Sequence, residues 1–313
     1  MEYYFDDIES CEQIEQFEDE YVYDVEMSDE THTFIANDIL VHNSLYISFK
    51  PLLESCDWSG DPVDFILKLR EYKLDSFFRE KFDGYAEQFN TKNIQNFELE
   101  KIARSGLMIA KKKYILDIAW KDPGIKYKPQ DLITYTGVEI IQSSTPRFTK
   151  KVLKELVYYL FKEGKNLNYA EVIRKLKEYK KEFVLQNADD ICKAISLGDY
   201  EKYVLEDRKK ITLGDKCPIN VRSASVYNYL LFNSKWRSKY NLIKSGDKMK
   251  FYYAKGDYDV FGFLPGNYPY EFALEIDYSR QFEKTIVEPF NRFIRILGFN
   301  EIPGNLIYNI GLF

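Results

Sequence analysis

Along the first fifty residues the apolar positions come in short bursts separated by turn formers. Residues 21–27 (YVYDVEM) and 32–43 (HTFIANDILVHN) flank SDET at 28–31 and enclose AND at 36–38, a pattern that predicts short β-strands. A further strand is predicted at 44–49 (SLYISF), where alternation starts with no turn in front of it. The period then changes. Between 62 and 89 apolar residues recur at Ile66, Leu69, Leu74, Phe77, Phe78, Phe82, Tyr85 and Phe89, which predicts a helix with a core-facing stripe. Residues 97–120 return to strand character and hold three consecutive lysines, Lys111, Lys112 and Lys113, ahead of Tyr114. From 136 to 156 (TGVEIIQSSTPRFTKKVLKEL) a strand gives way to SSTP and an amphipathic helix, with Thr145 as the expected N-cap and Pro146 in the first turn. The class is α+β, with strands dominating early and helices late.

Charge divides the chain at the same early seam. Residues 1–43 contain 14 acids and neither Lys nor Arg, whereas the remainder holds 36 acids and 44 bases, so an acidic head precedes a basic body. The head suits a basic docking partner and the body a polyanion such as nucleic acid, although a solvated acidic arm on an ordinary domain has the same signature. Both histidines, His32 and His42, lie in the head, which excludes histidine chemistry from the body. Cys11, Cys56, Cys192 and Cys217 are widely spaced and form no CxxC pair, so neither a zinc site nor a disulfide framework is indicated. No apolar run approaches the ~20 residues that span a bilayer, and the acidic start is no targeting peptide. The expectation is an intracellular protein with no membrane partner.

His42-Asn43-Ser44 is the strongest chemical signal in the head. An asparagine amide can attack its own backbone carbonyl and cut the chain as a succinimide, provided a neighbour protonates the departing amine and the geometry is held in line. His42, with an ordinary pKa of about 6.5, is a suitable proton donor. Ser44 supplies a hydroxyl that can accept an acyl group before the cut. The tripeptide alone is weak, but the longer stretch VYDVEMSDETHTFIANDILVHNS resembles the C-terminal blocks of an intein. The resemblance implies that Asn43 cyclises, His42 assists and Ser44 is the transesterification nucleophile. It gives Asp24 and His32 supporting acid–base and positioning roles. The N-terminal splicing blocks are absent from this sequence, which points to a split intein acting in trans, with a truncated or artificially divided gene as the alternatives.

The body carries a second resemblance. An upstream segment ending in Asp-Thr-Asp would give DTDSLYISF on joining, the aspartate hairpin of family B DNA polymerases. The lysine run, the TGVEIIQSSTP crossing, GDKCPINVRSASVYNYL at 214–230 and DYSRQFEKTIVEPFNRF at 277–293 together resemble the C-terminal palm and thumb of T-even-type bacteriophage replicative polymerases, along nearly all of 44–313. The resemblance implies three regions: an intein fragment at 1–43, the end of a palm at 44–145, and a mainly helical thumb with a C-terminal tail at 146–313. It assigns Lys112 and Tyr114 to the primer, with Lys111, Lys113 and Arg147 as further DNA contacts and Lys150 and Lys151 weaker candidates. Glu100 becomes an acid near the metal site, and Gly137, Glu139, Ser143, Ser144 and Thr145 mark the palm-to-thumb crossing. Ile307, Tyr308 and Phe313 fall where a sliding-clamp peptide has its anchors, although Gly311 replaces one aromatic; a tail packed on the thumb is the alternative.

The implied partners are an upstream polymerase fragment bearing the N-intein, primer–template DNA, dNTP and a sliding clamp, in the cytoplasm of a phage-infected bacterial cell. The implied cofactor is Mg²⁺, in a two-metal site completed by aspartates of the upstream fragment and with no metal held by this chain alone; splicing needs none. Two other functions stay open on sequence. One is a non-catalytic DNA- or clamp-binding polymerase subunit with an inactive intein. The other is a self-cleaving module that releases the body without ligation.

Overall fold

The computed structural model describes residues 34–36, 39–41, 47–56, 58–93, 98–205, 212–213, 216–304 and 307. The chain divides into two units, Met1–Ile102 and Ala103–Phe313. In the first, β1 (Phe34–Ala36) and β2 (Ile39–Val41) pair antiparallel with Phe34 opposite Val41; Asn37 and Asp38 of the predicted turn lie outside the described residues. The described part of the strand expected at 44–49, residues 47–49, is not extended in a sheet but leads into α1 (Lys50–Ser55). Pro51 in the first turn of α1 favours a helix start there, because its fixed φ suits that position and its missing N–H costs nothing.

The long helix predicted from residue 62 is present. It runs as α2 (Pro62–Leu69), a π-helical turn (Arg70–Leu74) and α3 (Asp75–Gln88). Asp61 caps it, its carboxylate accepting from the Val63 N–H at 3.0 Å. The stripe is not core-facing as expected. Ile66 is buried, but Phe77 is 51% exposed and Phe89 48%, with Leu69, Leu74, Phe78, Phe82 and Tyr85 half-buried. The π turn inserts a residue into the ladder and rotates everything after Leu69, so the 3.6-residue stripe read from the sequence is not one straight face. Its rings cover one another along the helix, Phe78 on Phe82 and Tyr85 on Phe89.

The second unit begins in β3 (Lys101–Ala110), which turns into β4 (Lys113–Lys121); β5 (Ile125–Lys126) and β6 (Ile133–Thr136) both pair with β4 antiparallel. Residues 115–120 of β4 are buried without alternation, the pattern of a strand covered on both faces. After a short 3₁₀ turn at Glu139–Ile141 comes α4 (Arg147–Glu163). Phe148, Val152, Leu153, Leu156, Val157 and Leu160 bury one face of α4, as the amphipathic pattern predicts. Its N-cap is Pro146 rather than Thr145, because the Thr145 hydroxyl donates to the Glu139 carbonyl at 2.5 Å and is taken up by the preceding turn.

α5 (Tyr169–Phe183) starts at Asn168, whose side chain accepts from the Ala170 and Glu171 amides. Short elements follow: α6 (Ala188–Ile191), β7 (Lys193–Ser196), α7 (Tyr200–Tyr203), β8 (Val204–Leu205) and β9 (Thr212–Leu213). Then come α8 (Ile219–Phe232), β10 (Lys248–Tyr253), β11 (Val260–Phe263), α9 (Tyr278–Phe282), a π turn (Glu283–Val287) and α10 (Glu288–Ile296). β7, β10 and β11 form an antiparallel sheet on which α8 rests. The approach is close enough that a β-carbon on Gly262 of β11 would lie 2.9 Å from the Ser223 carbonyl oxygen. The short residues Ser223, Ala224 and Ser225 on α8 permit it. The core joins α4, α5, α8, α9 and α10 to this sheet, with Phe183 edge-on to Phe148, Tyr278 and Phe282. At about 1.5–3 kcal/mol per buried large apolar side chain, this unit carries a core of its own. The observed class is α+β, as expected.

Candidate nucleic-acid interface

Lys111 and Lys112 form the turn between β3 and β4, and Lys113 opens β4. Lys111, Lys112 and Lys113 are all exposed, and none has a carboxylate within ion-pair distance among the described residues. Lys112 is left-handed (φ 59°), the conformation that reverses the chain there. Tyr114 follows in β4, half-buried and opposite Thr136 of β6. The ammonium groups therefore sit on a short turn whose next residue is anchored in a sheet.

Gly137 fixes that turn from behind. It lies one residue beyond β6, also left-handed (φ 62°), and a β-carbon there would fall 2.0 Å from the Lys112 carbonyl oxygen. Only glycine fits such a contact. Residues 139–144 then tie this region to α10 and β7: Glu139 pairs with Arg292 of α10 at 2.5 Å, the Ser144 carbonyl accepts the N–H of Ala194 on β7 at 3.1 Å, and within the segment the Glu139 carbonyl accepts the Thr145 hydroxyl. Tyr135, partly buried on β6, has its hydroxyl pushed up to about 12 by burial and stays neutral. Lys154 of α4 lies 5.8 Å from its ring.

The remaining candidates are placed unevenly. Arg147 is exposed at the start of α4, with no carboxylate within ion-pair distance among the described residues. Lys150 is half-buried, and Lys151 is occupied, 3.4 Å from Glu182 and over the Phe148 ring. Glu100 belongs to the first unit and lies 3.0 Å from Lys101. Ile307 is fully buried in the core of the second unit. Asp24, His32, His42, Asn43, Ser44, Tyr308 and Phe313 lie outside the described residues. Among the described residues no three His, Cys, Asp or Glu side chains come together as a metal-binding set. These residues alone do not fit a Mg²⁺ site.

Two supports of the sheet that carries the turn have no sequence signal. Arg104 of β3 donates to the Ile118 carbonyl at 2.9 Å and also to the Tyr127 carbonyl, pinning the sheet below the turn. Asp117 on β4 is buried and accepts from the Gln130 backbone and side-chain amides at 3.0 and 3.4 Å. Gln130 is itself left-handed (φ 61°).

No protein-family profile matches the chain. It is 26% identical over 200 residues to the DNA-directed DNA polymerase of Escherichia phage RB69, a stretch covering 59% of this chain and 21% of that protein. The chain is distantly related to a phage DNA polymerase. It spans 21% of that relative's length, so the similarity bears on a part of such a protein. Among the described residues no helix is long and apolar enough to cross a membrane.

Proposed function

We propose that residues 44–313 are the C-terminal palm and thumb of a family B phage-type replicative DNA polymerase, joined to an upstream fragment by trans-splicing at Asn43–Ser44. The polymerase half of this reading is supported above all by the 200-residue similarity to a phage DNA polymerase. The exposed, acid-free lysine turn braced by Gly137 agrees with it. The splicing half rests on the sequence of the acidic head.

In the splicing reaction the upstream partner forms a thioester or ester at its own junction, and the Ser44 hydroxyl attacks that acyl carbon, displacing the partner's side chain. Asn43 then attacks its own carbonyl as His42 protonates the departing Ser44 amine. That amine takes the acyl group from its own oxygen, leaving a peptide bond. Asp24 and His32 support the proton transfers. In the joined protein Lys111, Lys112, Lys113 and Arg147 hold backbone phosphates and Tyr114 packs at the primer end, which positions the duplex without reading its sequence. Two Mg²⁺ ions, held by upstream aspartates, would supply the metal chemistry of dNTP addition; Glu100 is at most a neighbour of that site. A sliding clamp is the expected partner of Tyr308 and Phe313, and the buried Ile307 favours a tail that packs on the thumb through that residue.

Mixing the chain with its upstream fragment and assaying primer extension tests both halves. Asn43→Ala abolishes the ligated product if splicing operates. Lys112→Ala lowers primer affinity by about tenfold, the cost of one charge-assisted contact, while leaving ligation intact. Ligation unaffected by Asn43→Ala contradicts the splicing half, and extension without any dependence on the lysine turn contradicts the assigned interface.

A further inference from the structure

Residues 216–246 contain Lys216, Arg222, Lys235, Arg237, Lys239 and Lys244 and not one acid, in a chain where 50 of 313 residues are Asp or Glu. Two of these cations are balanced from outside the run: Arg222 by Asp259 at 3.3 Å and Lys239 by Glu271. Three of the six crowd into the turn that follows α8. Lys235, Arg237 and Lys239 alternate there around Trp236, and all three are exposed while Trp236 is half-buried against the core.

The turn is held still. The Trp236 N–H donates to the Ser234 hydroxyl at 3.1 Å, and that hydroxyl donates to the Leu231 carbonyl at 2.9 Å. The Lys235 and Lys239 ammonium groups stand 5.1 and 5.7 Å from the Trp236 ring centre. The Arg237 guanidinium lies 3.5 Å from the Phe232 ring centre and its Nε donates to the Phe232 carbonyl. One of the five guanidinium N–H groups is thereby used, and the head is fixed by stacking before any ligand arrives. A cation at a helix C-terminus is ordinary and accounts for the Nε contact. It does not account for three cations in five residues, of which Lys235 and Arg237 have no carboxylate within ion-pair distance among the described residues.

We propose that this turn, residues 235–239, is a second contact for the nucleic-acid backbone, apart in sequence from the lysine turn at 111–113. Arg237 offers a planar fork for a phosphate, Lys235 adds an ammonium beside it, and Lys239 contributes only as far as Glu271 releases it. The ligand class is a phosphodiester chain, held by charge and with no reading of base sequence. This rests on the reading that the protein handles DNA.

The test is the salt dependence of the full chain's affinity for a labelled primer–template duplex. The double variant Lys235→Gln/Arg237→Gln is expected to reduce the slope of log K against log salt by about 2, since each lost phosphate contact removes about one unit. Lys235→Gln alone, which leaves the helix end untouched, removes about 1 with an unchanged urea midpoint, and Arg237→Lys retains most of the slope. A slope that falls for Lys112→Ala but not for Lys235→Gln or the double variant overturns this inference alone. A wild-type chain with no salt-dependent duplex binding overturns both the inference and the reading beneath it.

Discussion

Phe77 in α3 and Phe183 in α5 both lie on helices with an apolar stripe, yet Phe77 is 51% exposed and Phe183 is fully buried. Phe183 meets Phe148, Tyr278 and Phe282, rings brought to it by α4 and α9. Phe77 meets Phe78 on its own helix, with Lys81 over its face. The contrast extends to the units that hold them. In the first, the buried apolar side chains among the described residues are Val63, Ile66, Ala86 and Ile102, whereas the second fills a continuous core from Leu107 to Ile307. An apolar period marks a face, and a face becomes a core only where a second layer is supplied.

Cutting both rings back separates the two helices most strongly. Phe183→Ala is expected to destabilise the second unit by about 3–5 kcal/mol, the usual cost of an aromatic cavity. Phe77→Ala is expected to change stability by about 0.5 kcal/mol or less. Urea unfolding of the two variants measures both, and equal losses would remove the distinction. Gly137→Ala comes next. Left-handed strain and overlap with the Lys112 carbonyl together predict a loss of about 2–4 kcal/mol, read from the same midpoint. A neutral Gly137→Ala would mean that the lysine turn is not braced by the crossing.

Smaller effects sharpen the picture. Amide exchange in α3 should be faster than in α4 or α5, because local opening of α3 exposes little buried apolar surface. Glu271 provides a pH signature for the second unit. Hydrogen bonds from Lys239 and then Tyr240 hold its carboxyl down to about 2 from an ordinary 4.5. A depressed folded pKa stabilises above the unfolded value, so this contribution is complete above pH 4.5 and is lost as pH falls towards 2. Glu271→Gln should flatten the stability profile in that window, and an unchanged profile would mean that the carboxylate is not engaged. Least of all, Glu139→Gln should cost about 0–1 kcal/mol, since its pair with Arg292 is partly exposed.

The basic cluster at 111–113, the α4 stripe and the long helix from residue 62 are legible in the sequence by spacing alone, because local period acts over a few residues, whereas the turn that carries the lysines inside the predicted strand segment 97–120 is not. What escapes depends on distant parts of the chain. Arg292 reaches Glu139 across 153 residues, and the reason for glycine at 137 is the carbonyl of Lys112, on the far side of three strands. Asp117 looks like a surface acid in the sequence and is buried because Gln130 satisfies both of its oxygens. Thr145 has the composition of an N-cap, but the 3₁₀ turn at Glu139 claims its hydroxyl first. The covering of the helix from 62 to 88 has no signature at all within that helix. Of the candidate site, the cations at 111–113 are plain in the sequence, whereas the burial of Ile307 is set by a core assembled from segments far from the tail.

The central question is whether the seam at Asn43–Ser44 is a splice junction through a polymerase. Intact mass spectrometry of the chain mixed with its upstream fragment answers it most directly. The expected result is a single product in which residues 1–43 are lost and Ser44 is bonded to the upstream polypeptide. Two chains that keep their separate masses while extending a primer together would contradict the splice junction.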